Sequence, residues 1–324
     1  MAPVPAPRWA LRRVASVRHL LLALAAACAD FSAPVSPSTP APALPAVLQP
    51  STNWRTVDGI YLADTLGRNV VRLTTGRMPA WSRDGKRIAF ERAGTIMLID
   101  VASRVETALG EGTWPTWSPD GSKIAFASVE GISVMNADGS NVRTLIQHLF
   151  RKDTYAPWDM GVGKPAWSPD GSQIAFEHLG DGDTQPAQVY IINADGSDPR
   201  RLSAAYTTYR FAESDPAWSP DGKQVAFWSY GLGVAIMKLE DSSQFTVYGN
   251  FPYVAYGARP SWSPDGRFIV FNSFPHNGLR PADLLIASLS GGNAHILISN
   301  AFGAAWSPDG SRIAFVSSRL TKWK

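Results

Sequence analysis

One short phrase recurs six times in this 324-residue chain, and no other feature restricts the possible folds so tightly. It reads Pro79-Ala80-Trp81-Ser82-Arg83-Asp84-Gly85 at its first occurrence and Pro115-Thr116-Trp117-Ser118-Pro119-Asp120-Gly121 at its second. It returns around Trp167, Trp218 and Trp262, each followed by Ser-Pro-Asp-Gly, and last as Ala304-Ala305-Trp306-Ser307-Pro308-Asp309-Gly310. Successive tryptophans lie 36, 50, 51, 44 and 44 residues apart. Self-similarity at about 40–50 residues is the period of propeller blades.

Each unit holds the parts of a four-stranded blade. The Trp sits on a short first strand. Ser-Pro-Asp-Gly then forms a tight turn, because Pro presets φ, Asp tolerates the bend and Gly supplies the left-handed conformation. A second strand follows, as in Lys123-Ile124-Ala125-Phe126, and a third, as in Ile132-Ser133-Val134-Met135. Their apolar residues alternate with small or polar ones, the period of a strand. Asn136-Ala137-Asp138-Gly139 reads as the next hairpin turn, before a fourth strand at Val142-Arg143-Thr144-Leu145. Blade four departs here, with Leu239-Glu240-Asp241-Ser242 in the turn.

The ends complete the count. After Trp306 only a first and a second strand fit before Lys324, while Ile60-Tyr61-Leu62-Ala63 and Val70-Val71-Arg72-Leu73 read as a third and a fourth with nothing before them. The prediction is an all-β, six-bladed propeller of four-stranded blades. Strands from both termini share the last blade, which closes the ring and removes a free sheet edge. The repeated Pro-Ala-Trp-Ser-Pro-Asp-Gly-x-x-Ile-Ala-Phe resembles the repeat of TolB-like, WD-repeat-like propellers over roughly 270 residues. TolB itself carries an α/β domain before its propeller, where this chain has a Pro-rich stretch.

Residues 1–27 read as a signal peptide. Arg8, Arg12, Arg13 and Arg18 precede the apolar run 20–27, which is too short to span a bilayer as a helix. Ala25-Ala26-Ala27-Cys28 resembles a bacterial lipobox, with Ala25 where Leu is usual. That resemblance implies lipidation of Cys28, and Ala29 after it implies the outer membrane. Residues 28–53 hold six prolines among Ala, Ser and Thr and read as an extended tether. The propeller is expected over 54–324. The whole chain has 30 basic and 27 acidic residues, but the leader takes four Arg and no acid, leaving 26 against 27. The basic balance belongs to the leader and gives no support for nucleic-acid binding.

Six Asp at fixed positions (Asp84, Asp120, Asp170, Asp221, Asp265 and Asp309) read as turn residues spread around one rim, where they have no common substrate to meet. The six repeated Trp read as packing between blades. No Gly-x-Ser-x-Gly elbow and no His-x-x-x-His pair is present, so no catalytic constellation, metal site or cofactor is expected. Asp181-Gly182-Asp183 reads as a solvated turn.

Blade topology puts the short turns on one face and the long insertions on the other. Those insertions carry Tyr155 and Trp158; Tyr206, Tyr209, Arg210 and Phe211; Phe251, Tyr253 and Tyr256; and His276 and Arg280. Aromatic residues and Arg on loops favour binding anchors. The expectation is an exported, monomeric, lipid-anchored scaffold in the periplasm that binds a protein or peptide. Two alternatives are a carbohydrate-active or other small-ligand enzyme with its site in the channel, and an accessory propeller for a separately encoded peptidase.

Overall fold

The computed structural model describes residues 58–147, 162–178, 187–202, 213–229, 232–248, 258–273, 282–291 and 293–318. The chain divides into two units, Met1–Thr52 and Asn53–Lys324, and every described residue belongs to the second. Six four-stranded sheets form there, and every strand pairing is antiparallel. Blade one contains Arg77–Trp81, Arg87–Arg92, Thr95–Asp100 and Glu106–Glu111, in that spatial order. Blades two to five repeat the order from Thr113–Trp117, Val162–Trp167, Glu213–Trp218 and Ser261–Trp262.

Blade six is built from both ends of the propeller. Its order is Phe302–Trp306, Arg312–Ser317, Gly59–Asp64 and Val71–Thr75. The closing pair runs in unbroken register from Gly59 opposite Ser317 to Asp64 opposite Arg312. The shared blade inferred from the repeat count is therefore present.

The second strands show why this sequence stacks blades. Ile88, Ala89 and Phe90 are all fully buried, which requires cover on both faces of one sheet. The two-residue period sends Ile88 and Phe90 to one side and Ala89 to the other. Ile88 and Phe90 pack with Ile60 and Leu62 of blade six, whereas Ala89 packs with Trp117 and Phe126 of blade two. Bulk faces one neighbour and a small residue faces the other, so adjacent sheets interlock. Each fully buried Ile or Phe contributes roughly 1.5–3 kcal/mol, and the six interfaces between blades each hold one apolar cluster.

The repeated phrase supplies the turns. Asp84 accepts hydrogen bonds from the Ser82 hydroxyl at 2.6 Å and the Lys86 amide at 3.0 Å, and the Arg87 amide donates to Ser82 at 2.9 Å. The Ser-to-Asp bond recurs in all six repeats, at Asp120, Asp170, Asp221, Asp265 and Asp309. The turn glycines have φ of 67–75°, which is costly for other residues. The turns also touch one another around the rim. A Cβ placed on Gly171 would lie 3.2 Å from the ring of Pro119 in the preceding blade, and one on Gly85, Gly222, Gly266 or Gly310 would make ordinary contact with a preceding Pro at 3.7–3.9 Å. Gly121 meets nothing, because the preceding turn has Arg83 instead of Pro. In the variant turn of blade four, Ser242 takes the left-handed conformation at φ 57° and Asp241 still accepts the Ser243 amide.

The first strand lies innermost, with no neighbouring strand on its channel side. The next blade's Trp covers part of that open edge. Trp81 donates its indole N–H to the Ala305 carbonyl, Trp117 to Ala80, Trp218 to Ala166 and Trp262 to Ala217, at 3.0–3.2 Å. Trp167 and Trp306 make no such bond. The corresponding residues of the blades before them are Thr116 and Ser261 rather than Ala. The four bonded Trp are buried, and the two unbonded ones are half-buried. A β-substituent on the preceding strand thus coincides with an indole held away from its carbonyl.

Connections from fourth to first strands and from second to third strands meet one face, the face of Asp58 and Ser317. Segments 148–161, 203–212 and 249–257 are of the first kind, and 179–186 and 274–281 of the second. All eleven aromatic, His and Arg anchors named from the sequence fall in these segments, outside the described residues: Tyr155, Trp158, Tyr206, Tyr209, Arg210, Phe211, Phe251, Tyr253, Tyr256, His276 and Arg280. So do Asp181, Gly182 and Asp183, and so does Cys28 with the whole N-terminal region to residue 57.

Candidate functional site

The first strands do not run smoothly beside the second. Arg77 opposes Glu91 and Ala80 opposes Ala89, so Met78 and Pro79 together face one partner residue. The same bulge occurs in blades two, three, four and six. An extra residue re-aims the side chain beside it. Here it sets one residue per blade toward the channel, three positions before the repeated Trp: Met78, Trp114, Lys164, Asp215, Arg259 and Gly303.

All six adopt the left-handed conformation, with φ from 46° to 61°. Glycine would sit there without strain, yet only blade six uses it. A non-glycine residue there costs roughly 1–2 kcal/mol. Five blades accept that cost, and in each the result is a side chain at the channel. The six groups all differ: sulfur, indole, ammonium, carboxylate, guanidinium and hydrogen.

Four of these blades converge chemically. The Lys164 ammonium lies 2.9 Å from Glu177 and 3.0 Å from Asp215. Burial works against its charge, but Asp215 and Glu177 outweigh that and hold its pKa above the ordinary lysine value. Glu177 follows Phe176 on the second strand of blade three. Burial pushes its pKa up to about 6; Lys164 opposes the shift and Asp215 adds to it. Asp215 also accepts from the Ser214 hydroxyl at 3.1 Å. The Arg259 guanidinium stacks 4.3 Å from the centroid of Trp114, and Lys164 lies 5.2 Å from the same ring. Burial draws the Arg259 pKa below its ordinary value, Asp215 opposes this, and Arg77 adds to it. A guanidinium nonetheless stays charged at any pH a protein tolerates.

These side chains form the floor of a cavity of about 470 Å³. Its walls are the Pro-Ala-Trp segments, and its rim is Pro119, Pro169, Pro220, Pro264, Pro308 and Arg83. The cavity therefore opens among the short turns, on the face opposite Asp58 and Ser317. The repeated Asp residues bond within their own turns and do not line it. Among the described residues, no three His, Cys, Asp or Glu side chains are grouped to hold a metal ion.

Sequence reading missed this ring. Its members look like the last residue before each Pro-Ala-Trp, and the signal was their variability in an otherwise constant phrase. The anchors expected from the sequence lie in the long insertions, outside the described residues.

A model of the TolB beta propeller domain matches residues 47–213, just over half of the chain. The chain belongs to the TolB β-propeller family. No curated protein matches it. Among solved structures, a putative TolB from Agrobacterium tumefaciens is similar at 20% identity and TM-score 0.67, over 82% of this chain and 99% of that one. TolB from Acinetobacter baumannii is similar at 20% identity and TM-score 0.56, over 81% of this chain but only 64% of that one. An oligogalacturonate lyase from Vibrio parahaemolyticus shares the fold at 16% identity and TM-score 0.51, over 76% and 80% of the two chains. The family resemblance read from the repeated phrase is thus borne out, and the likeness to the lyase is one of fold.

Proposed function

We propose that this chain is an exported binding scaffold of the bacterial envelope, held by lipid on Cys28, that engages a protein or peptide through its propeller. The observation that carries the reading is the channel ring. Five blades keep strained non-glycine residues at one position, and those side chains differ from blade to blade above an otherwise repetitive wall of Pro and Trp. Pro and Trp offer rigid apolar surface at little entropic cost. The aromatic insertions, with Tyr209, Phe211 and Tyr253, supply a second surface on the other face. Selection of peptides from a displayed library on the processed chain tests this. Selected peptides should lose binding to Trp114→Ala or to the triple Tyr209→Ala, Phe211→Ala, Tyr253→Ala variant. Peptides indifferent to both sets would refute the reading.

A second reading, a small-ligand enzyme in the channel, has one observation in its favour: Glu177 has a pKa of about 6, suited to proton transfer near neutrality. Against it, Glu177 sits behind Lys164 and does not line the cavity. Incubation with oligogalacturonate, followed by ultraviolet absorbance of unsaturated product, tests this reading. A rate that Glu177→Gln abolishes would establish it.

A further inference from the structure

Of the charged side chains that the bulges set at the channel floor, Arg259 is the one without a hydrogen-bond or ion-pair partner among the described residues. Lys164 is held between two carboxylates, and Arg77 is paired with Asp58. Arg259 donates no hydrogen bond and joins no ion pair among the described residues; its close contact is the face of Trp114. The residue is half-buried, and its guanidinium has N–H donors that no described acceptor uses. Its nitrogens border the cavity, so the acceptors they lack have somewhere to come from.

We propose that Arg259, stacked on Trp114, is a carboxylate-recognition site at the floor of the channel, and that it takes an acidic side chain or the C-terminal carboxylate of a bound peptide. The geometry fits that chemistry. The guanidinium carbon lies over the Trp114 ring, and a guanidinium laid flat on a ring face keeps its N–H edge, the fork that grips a carboxylate with two parallel bonds. Trp114 fixes the plane, so little side-chain freedom is lost on binding.

The charges around the site are balanced before the ligand arrives. Lys164 and Arg259 offset Glu177 and Asp215, and the two carboxylates are already engaged by Lys164 and Ser214. Asp215 therefore does not fill the guanidinium fork, although it lies close enough to influence it. A ligand carboxylate that reaches the floor meets an unpaired Arg259 and, among the described residues there, carboxylates that are already engaged. The route to it is lined by prolines and tryptophans, with Arg83 at the rim, which suits an otherwise apolar chain segment that leads with an acidic group.

The proposal rests on the peptide-binding reading, and the experiment separates the two. Nitrogen-15 NMR of the Arg259 Nε–H reports on the guanidinium directly. The probes are sodium propionate, propionamide, the peptide acetyl-Ala-Pro-Glu-Ala-amide, its Gln counterpart, and acetyl-Ala-Pro-Ala with a free C-terminus. Propionate and at least one acidic peptide should shift the resonance saturably, while propionamide and the Gln peptide should not. The Glu peptide and the free-terminus peptide tell a side chain from a chain end. Arg259→Lys keeps charge but loses the fork and should weaken binding about tenfold or more, equivalent to about 1.4 kcal/mol. Equal binding of acids and amides overturns the carboxylate site and leaves peptide binding standing. A shift with propionate but none with any peptide supports the site and sinks the peptide reading. No saturable shift with any acid overturns the proposal, and that comparison in the wild-type chain needs no variant to fold.

Discussion

The Trp–carbonyl bonds between blades can be tested with a thermodynamic cycle. Trp218 donates to Ala166 at 3.1 Å, and Trp167 donates to nothing. Replacing either by Phe removes the same ring atoms, and the packing loss is only partly shared, being larger at Trp218, which is buried where Trp167 is half-buried. The polar terms differ in the same direction. Trp218→Phe strands a carbonyl on an inner strand edge, which costs about 1–3 kcal/mol. Trp167→Phe deletes an N–H that was already buried without a partner, so its polar term is near zero or favourable. Trp218→Phe should therefore be the more destabilising, by about 1–3 kcal/mol from the polar terms alone. The cause assigned to the difference is Thr116. In a Thr116→Ala background the indole of Trp167 is free to reach the residue-116 carbonyl, and the cost of Trp167→Phe should rise by about 1 kcal/mol. Urea unfolding followed by both fluorescence and circular dichroism measures each corner, with coincident transitions required before free energies are compared. In a domain of this size, 1 kcal/mol corresponds to about 2–3 °C in Tm. Equal losses at Trp218 and Trp167, or no coupling between positions 116 and 167, would refute the account.

Two further predictions concern the rim and the floor of the channel. Arg83→Pro completes the chain of turn prolines beside Gly121 and places Pro at the turn position the other five repeats give it; its amide makes no backbone hydrogen bond, so stability should rise by about 0.4–1 kcal/mol in urea unfolding, and a loss would show that the turn of blade one differs from the rest. Glu177 has a folded pKa of about 6, above the ordinary 4.5, so the folded state holds its proton more tightly than the unfolded chain. Its contribution therefore weakens as pH rises from 4.5 through 6, by roughly 2 kcal/mol in all. Carboxyl carbon-13 NMR should show a midpoint near 6 that Glu177→Gln removes, and a midpoint near 4.5 would contradict the burial argument.

The blade count and the shared closing blade were legible because each depends on a local rule repeated in register. Ser-Pro-Asp-Gly specifies its own turn, and Ile-Ala-Phe specifies a strand with a bulky and a small face. The missing first strands at one end and the missing third and fourth at the other then required closure. The channel site followed no local rule. Trp114, Lys164, Asp215 and Arg259 are about 50 residues apart in sequence, and only a closed ring brings them together. The bulge that aims them is also hidden, since Met78 or Arg259 carries no mark of a left-handed backbone. Glu177 is harder still. It occupies the position after Ile-Ala-Phe, where the other repeats have Glu91, Ala127, Trp228, Asn272 and Val316, and only its distance to Lys164 gives it a role.

The same geometry explains why Arg259 and not Lys164 is the group left for a ligand. Lys164 faces the interface between blades three and four, where Glu177 and Asp215 are both within 3.0 Å. Three N–H donors on a compact ammonium are readily consumed by two carboxylates and the Trp114 ring. Arg259 comes from blade five and approaches Trp114 of blade two across the channel. The corresponding column in blade five supplies Asn272 instead of Glu177, and Asn272 accepts the Gly303 amide at 2.9 Å. Blade six offers Gly303 with no side chain at all. Among the described residues no carboxylate is positioned to close on the guanidinium from its own side, and position 303 beside it has no side chain: a Cβ there would lie 3.1 Å from the guanidinium. Gly303→Ala should therefore push the Arg259 guanidinium by a few tenths of an ångström against Trp114 and weaken its response to carboxylates. If that variant kept the full carboxylate response, the geometry at Arg259 would owe nothing to the glycine.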